Sequence, residues 1–430
     1  MKTIISLTNI LILLARTFAS CPLQCQCVDQ GTVTVTCFDV MMEGLPNTFN
    51  PLLERLVISR TNISHIESFF FASFPQLEVA DLSENEVVEV QRNVWRESIS
   101  LKTLSVAHNK IRSMPDFIGL ESLTSLDLSY NKIRTLPRNI LSTRLEELEL
   151  SSNLVTNLPP LPATLQRLNV SNNKISSVSD VLSHLPHLQH LDLSHNPLLS
   201  LQPPVLSLVP GLLSLSLAST GLEEVPSFSL LEVRELIDLD LSHNRLTVLG
   251  SSALAGLDQL ESLTVSHCPL LQTVEDRIFG DNSLNMSLID LSHNPSLTGL
   301  QPDSLAGVER LERLLIQGDN LTSVVLPASL QWVEAEDNPW RCDCDILHLT
   351  RLDLPTTLLC HSPDQYRGTA LAELTLQDCR EEKERRTELD IPDNNYLYFF
   401  CIVSAGLTFL MIILLIFCRK NLHRALTQLR

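Results

Sequence analysis

The cysteines are the residues of this chain whose spacing points most directly to chemistry. Cys21, Cys25, Cys27 and Cys37 form one cluster and Cys342, Cys344, Cys360 and Cys379 another, near opposite ends of the 430-residue sequence. Closely spaced cysteines form disulfides in an oxidising compartment or hold zinc in a reducing one. Four per cluster predicts two bridges in each, and spacing alone leaves three connectivities open for each. A second arrangement is periodic. Asp81, Asp127, Glu149, Asp192, Asp240, Asp290 and Glu334 recur in one frame, and three residues beyond that frame stand His108, His195, His243, His267 and His293. Carboxylates and imidazoles in register suit cation binding or pH sensing, and a row of solvated charges is the plainer alternative.

Other chemistries find little support. The sequence has no Gly-x-Ser-x-Gly, no Gly-rich phosphate cradle and no His-Glu-x-x-His, so neither catalysis nor a cofactor or metal is expected. Fifty Asp and Glu against 31 Lys and Arg, a formal charge of −19, oppose nucleic-acid binding, which needs a basic face. Asn62-Ile-Ser64, Asn169-Val-Ser171, Asn285-Met-Ser287 and Asn320-Leu-Thr322 are N-glycosylation acceptors if the chain is secreted. Asn169 falls in the same outward frame as the carboxylates.

The chain ends set the compartment. Lys2, a mostly apolar run over residues 4–14 and the small Ala19 and Ser20 predict a signal peptide over residues 1–20. Residues 396–418 predict a transmembrane helix, because 397–418 are free of charge and 22 residues at about 1.5 Å each span roughly 33 Å. Tyr396 and Tyr398 suit the outer interface. Arg419, Lys420, His423 and Arg424 follow in the short tail 419–430, which predicts a single-pass type I protein of the plasma membrane without a signalling domain of its own. The polar residues 380–395, with Lys383-Glu-Arg385-Arg386, read as a stalk open to proteolytic shedding. Cys401 and Cys418 belong to the membrane segment, where Cys418 beside the basic tail is either a palmitoylation site or unmodified.

What positions the periodic residues is itself periodic. The apolar residues, 44% of the chain, are aliphatic rather than aromatic, since aromatics make up only 5%. The frame LxxLxLxxNxL recurs with first positions at Leu53, Leu77, Leu101, Leu123, Leu145, Leu165, Leu188, Leu212, Leu236, Leu260, Met286, Leu311 and Leu330. Alternation such as Leu126-Asp-Leu128 predicts a short strand with aliphatic residues on one face and the intervening residue in solvent. A single such unit cannot bury its face, so the units must stack in parallel. Asn85, Asn109, Asn131, Asn153, Asn173, Asn196, Asn244, Asn294 and Asn338 then form a ladder of amides that bond backbone groups where the chain turns. Thr61, Thr220, Cys268 and Asp319 replace Asn in the remaining units. Cys268 in that ladder reads as a buried, inert thiol, with a reactive or intermolecular cysteine as the alternative. The proline-rich residues 158–162 are expected to be extended.

The repeats resemble the leucine-rich repeat superfamily over about 300 residues, and the cysteine clusters resemble its extracellular caps. The resemblance implies an α/β solenoid with a curved parallel sheet on the concave face and irregular, 3-10 or short-helical segments on the convex side. It implies an N-terminal cap over residues 21–52, repeats over 53–337 and a C-terminal cap over 338–379. The family pattern also implies the pairings Cys21–Cys27, Cys25–Cys37, Cys342–Cys360 and Cys344–Cys379. A receptor or adhesion role follows by the same resemblance, with a secreted or cell-borne protein ligand on the concave face. A co-receptor with a lateral membrane partner, or an antagonist that sequesters a secreted ligand, is the alternative. Asp192, His195, Asp240, His243, Asp290 and His293 are the expected ligand contacts, with a glycan on Asn169 as an inner boundary.

Overall fold

Strict alternation makes the middle residue of each three-residue strand the one that enters the core. In the computed structural model, this rule is repeated along nearly the whole described chain. Residues 21–374 are described, apart from 43, 47, 139, 141–143, 199–200, 202–204, 280–284, 328–329, 344–345 and 353. A fifteen-stranded sheet begins with an antiparallel hairpin, Cys25–Val28 on Thr34–Phe38. All later strands pair in parallel and in sequence order, from Arg55–Ser59 to Trp332–Glu334. The middle residues lie opposite one another, as in Leu126, Leu148, Leu168, Leu191 and Leu215, and none of these is more than 2% exposed. Each buried leucine contributes about 1.5–3 kcal/mol, and each does so only while its neighbours are in place.

The convex side carries the short elements that residual apolar residues allow. Single turns of 3-10 helix occur at Phe70–Ser73 and Val205–Leu208, and single α-turns at Ser179–Leu182 and Ser227–Leu230. Residues 157–162 are free of helix. The structure also adds small parallel sheets that the repeat pattern does not predict. His65–Ile66 pairs with Glu89–Val90, and Val248–Leu249, Thr273–Val274 and Gly299–Leu300 make a three-stranded ribbon. Two-residue strands have no periodicity to betray them.

Disulfides join Cys21 to Cys27, Cys25 to Cys37 and Cys342 to Cys360. At the other end of the core, the buried Trp340 donates from Nε1 to the Ala335 carbonyl at 2.8 Å and covers the last repeat. Cys344 and Cys379 lie outside the described residues, as do the segments 1–20, 380–395, 396–418 and 419–430. Among the described residues no helix is long and apolar enough to cross a membrane.

The asparagine ladder fixes where each strand stops. Asn131 donates from Nδ2 to Val106, Leu128 and Ser129 carbonyls at 2.9–3.1 Å, while its Oδ1 accepts the Ile111 N–H at 2.9 Å. One amide therefore satisfies backbone groups in its own repeat and in the one before. That removes a desolvation cost that would otherwise recur in every unit. Cys268 sits in the same ladder, fully buried, with its Sγ 3.7 Å from the Leu241 and Ser266 carbonyls. Burial pushes its thiol up, which keeps it protonated and unreactive.

Candidate recognition surface

Two columns of outward side chains leave the concave sheet, and each has a structural duty. The first is the carboxylate column at the strand ends. Asp81, Asp127, Asp192, Asp240 and Asp290 each accept, through Oδ1, the N–H of the serine two residues on, at 2.9–3.0 Å. Asp-Leu-Ser is thus a turn motif, and its carboxylates are half-buried rather than freely solvated. Asn169 is the same position with an amide, because Asn169-Val-Ser171 makes the same bond from Ser171 N–H at 3.0 Å. The substitution that turns the motif into a sequon leaves the turn intact.

The second column comes one turn later, in the left-handed region. His108, Tyr130, Ser152, Asn172, His195, Ser219, His243, His267 and His293 all have φ between 52° and 58°. Their N–H groups continue the inter-strand ladder past the strands, as His243 N–H to Ser266 O at 2.9 Å and His267 N–H to Ser292 O at 3.0 Å. A left-handed L-residue costs about 1–2 kcal/mol, and here those bonds offset it. Side chains in this column touch one another directly. Arg60 pairs with Glu84 at 2.7 Å, the His108 and Tyr130 rings stack at 4.1 Å, the His243 and His267 rings stack at 4.6 Å, and the His293 ring meets His267 at 4.8 Å, tilted by 42°.

The expected ligand set is therefore brought together only in part. The strand Ser214–Ser216 separates Asp192 from Asp240, and Ser262–Thr264 separates Asp240 from Asp290. Ser219 separates His195 from His243, whereas His267 joins His243 to His293. His267 shares the histidine column but not the expected contact set, although it is the central ring. Among the described residues no three His, Cys, Asp or Glu side chains converge as a metal site.

A raised carboxylate of the same column lies earlier in the sheet. Glu149 is pushed up to about 7, first by burial and then by Asp127, with Asp192 and Glu147 adding and the Asn169 amide opposing. Adjacent strands align Asp127, Glu149, Asn169 and Asp192, which puts the Asn169 sequon inside this acidic group. The other sequons lie elsewhere. Asn62 and Asn320 are exposed outside the strands, and Asn62 Oδ1 accepts the Met42 N–H at 2.8 Å. The Asn285 amide bonds Gln259 at 3.1 Å and the Asp258 carbonyl at 3.3 Å.

A mixed apolar patch, absent from the expected ligand set, closes the face at its C-terminal end. Leu288, Arg313 and Trp332 stand side by side on neighbouring strands, and Asp290, Leu315 and Glu334 form the next row. Trp332 Nε1 donates to Glu334 at 3.3 Å. The signal for it stands two residues ahead of the acidic frame, where most repeats carry small or polar residues. Beside this patch, Gly318 continues the left-handed column with φ 69°, and a Cβ there would meet His293 Nδ1 at 2.5 Å. Gly318→Ala should therefore cost about 1 kcal/mol and displace the His293 ring. A denaturant melt with a ring-proton NMR spectrum checks both, and an unshifted His293 resonance would contradict the contact.

This geometry defines a disulfide-bearing leucine-rich repeat solenoid with a broad polar concave face. The Leucine rich repeat family matches residues 51–111, 99–155, 143–198 and 210–270, so the chain carries leucine-rich repeats. Vasorin of Homo sapiens is 29% identical over 210 residues, 45% of this chain and 27% of vasorin. Podocan-like protein 1 of Mus musculus is 33% identical over 307 residues, 68% of this chain and 45% of that protein. The chain thus spans less than half the length of either relative. Among solved structures, the TLR13–ssRNA13 complex superposes with a TM-score of 0.60 at 20% identity, over 79% of this chain and 55% of that one, and shows the same fold.

Proposed function

We propose that this chain is a cell-surface recognition protein whose concave face binds a protein partner through a basic patch. The observation that carries the reading is the carboxylate row along the strand ends, where burial first and the neighbouring Asp127 second push Glu149 up to about 7. A cationic partner relieves that repulsion and is steered toward the face by it. The TLR13 structure shows the fold in a complex with RNA. The acidic face here favours a basic protein over a polyanion. Single-pass type I anchoring through residues 396–418, entry through a signal peptide over 1–20 and N-glycans at the four sequons belong to the same proposal. A membrane co-receptor and a ligand-sequestering antagonist use the same face and differ in whether binding engages a lateral partner or only withholds the ligand.

The turn motif itself supplies the test. Asp240→Asn keeps the Oδ1 acceptor for Ser242 N–H and, with Leu241 and Ser242 unchanged, creates an Asn-x-Ser sequon. In a glycosylating host, the sugar should lower affinity for a labelled oligo-arginine peptide by about tenfold or more. Peptide-N-glycosidase, which hydrolyses the glycosylated amide to aspartate, should restore it. The same wedge at Asp192 or Asp290 should act alike, and at Asp81 much less. Equal affinity for all glycosylated variants and the parent would remove the concave face from recognition.

A further inference from the structure

The imidazole stack is not required by the turn it sits on. Ser152, Ser219 and Asn172 occupy equivalent left-handed positions without a ring, so backbone geometry does not demand histidine at 243, 267 and 293. All three rings are exposed. They lie three residues beyond the strand-end positions held by Asp240, Thr264 and Asp290, along the margin of the later half of the concave face. The stack ends at Ser219 on one side. On the other it ends at Gly318, whose lack of a side chain leaves room for the His293 ring.

Rings at 4.6 and 4.8 Å, the first pair stacked and the second tilted, pack comfortably when neutral and repel one another when protonated. The charged and titratable groups around them are few. Asp240 and Asp290 approach from the strand ends, both tied into their own turns by the N–H groups of Ser242 and Ser292. Arg245, two residues past His243, is paired with Glu223 at 3.3 Å. The Asp319 carboxyl lies next to Gly318 but is buried in the ladder. His195 is a full column position away, beyond Ser219. Burial, followed by the charges of His243 and His293, lowers the His267 pKa, and Asp290 opposes them. His267 is thus the ring of the three that most resists protonation.

We propose that the His243–His267–His293 stack is the acid-sensitive margin of the concave site. With neutral rings it borders a basic protein partner seated against Asp240 and Asp290, and as the rings gain charge in a mildly acidic compartment it expels that partner. This rests on the reading of the later concave face as a docking surface for a basic protein. Near neutral pH the margin adds no positive charge, so the carboxylates act on the partner unopposed. On acidification, cations appear within the same acidic margin and compete for the same carboxylates. An acidic partner would show the opposite dependence.

The purified full-length chain and the oligo-arginine probe separate these readings. Affinity is measured at about pH 7.4 and about pH 5.5, which bracket imidazole titration. The parent should lose about tenfold between the two, and the triple variant His243→Gln, His267→Gln, His293→Gln should lose less than about threefold. His267→Gln alone, which breaks the stack at its centre, should fall between them and serves if the triple variant folds poorly. Ring-proton NMR should show His267 titrating at higher pH once His243 and His293 are both Gln. Parallel losses in parent and triple variant would assign the effect to carboxylates such as Glu149 and overturn the gate while leaving the docking site standing. Tighter binding at the acidic pH would overturn its sign. If glycan wedges at Asp192, Asp240 and Asp290 leave neutral affinity unchanged, the docking surface itself fails, and the gate with it.

Discussion

Asn244→Ala should unfold the middle of the solenoid. The Asn244 Oδ1 accepts the N–H groups of Thr220, Gly221 and Leu222 at 2.9–3.1 Å, and its Nδ2 donates to Leu217, Leu241 and Ser242 carbonyls at 2.8–3.3 Å. Asn244 is 1% exposed, so water cannot replace the lost amide without opening the turn. A buried backbone group left without a partner costs about 1–3 kcal/mol, and several are orphaned at once, for a loss of about 5 kcal/mol or more. Because each repeat is held only by its neighbours, the damage divides the array instead of staying at one turn. Asn244→Asp keeps the acceptor and loses the donors, so it should be milder. Denaturant melts of the three proteins measure the order, and a loss under about 1 kcal/mol for Asn244→Ala would mean that the ladder is dispensable there.

The fold is legible in the sequence wherever a period of two sits inside a period of about 24. Leu126, Leu148 and Leu168 are core residues on any parallel stacking of those units, and the structure buries them all. The ladder is legible for a similar reason, since an asparagine at the end of a strand has few other uses in a core. The roles of the charged columns are less so. Asp-Leu-Ser reads as an outward charge, and only in the fold does its Oδ1 close a turn on the serine N–H. Likewise, histidine spacing shows a column, but contact depends on which strands are adjacent. His195 and His243 are one unit too far apart, and His267, whose unit carries Thr264 in place of a carboxylate, completes the contact. The Leu288, Arg313, Leu315 and Trp332 patch is hidden because its residues occupy outward positions that are small or polar in most other units.

Asp319→Asn should stabilise the last repeats, and do so most at high pH. Asp319 occupies a ladder position, where every asparagine donates from Nδ2 to carbonyls. Its Oδ1 accepts the Asn294 N–H at 2.6 Å, but its Oδ2 is buried without a partner among the described residues. Burial first, and Asp290 second, push this carboxyl up to about 8 against the pull of the Asn294 N–H. The folded chain therefore holds a proton at 319 that the unfolded chain, with an ordinary aspartate, gives up near pH 4. That difference fixes the sign. The stabilisation is fully present below about pH 4 and is lost progressively as pH rises toward about 8, by up to roughly 1.4 kcal/mol per pH unit from this one group. Acid should thus strengthen the C-terminal repeats, the reverse of ordinary acid denaturation. An asparagine at 319 supplies Nδ2 donors without the cost of holding a proton, so the variant should melt at a higher denaturant concentration near neutral pH, by about 2 kcal/mol or more, and the gap should close as the pH falls toward about 4. Any pH dependence from Glu149 is common to both proteins and cancels in the comparison. Hydrogen exchange at Leu314 and Ile316 locates the change in the ladder around Asp319. A variant that is no more stable than the parent at neutral pH would show that the Asp319 carboxylate is already satisfied in its slot.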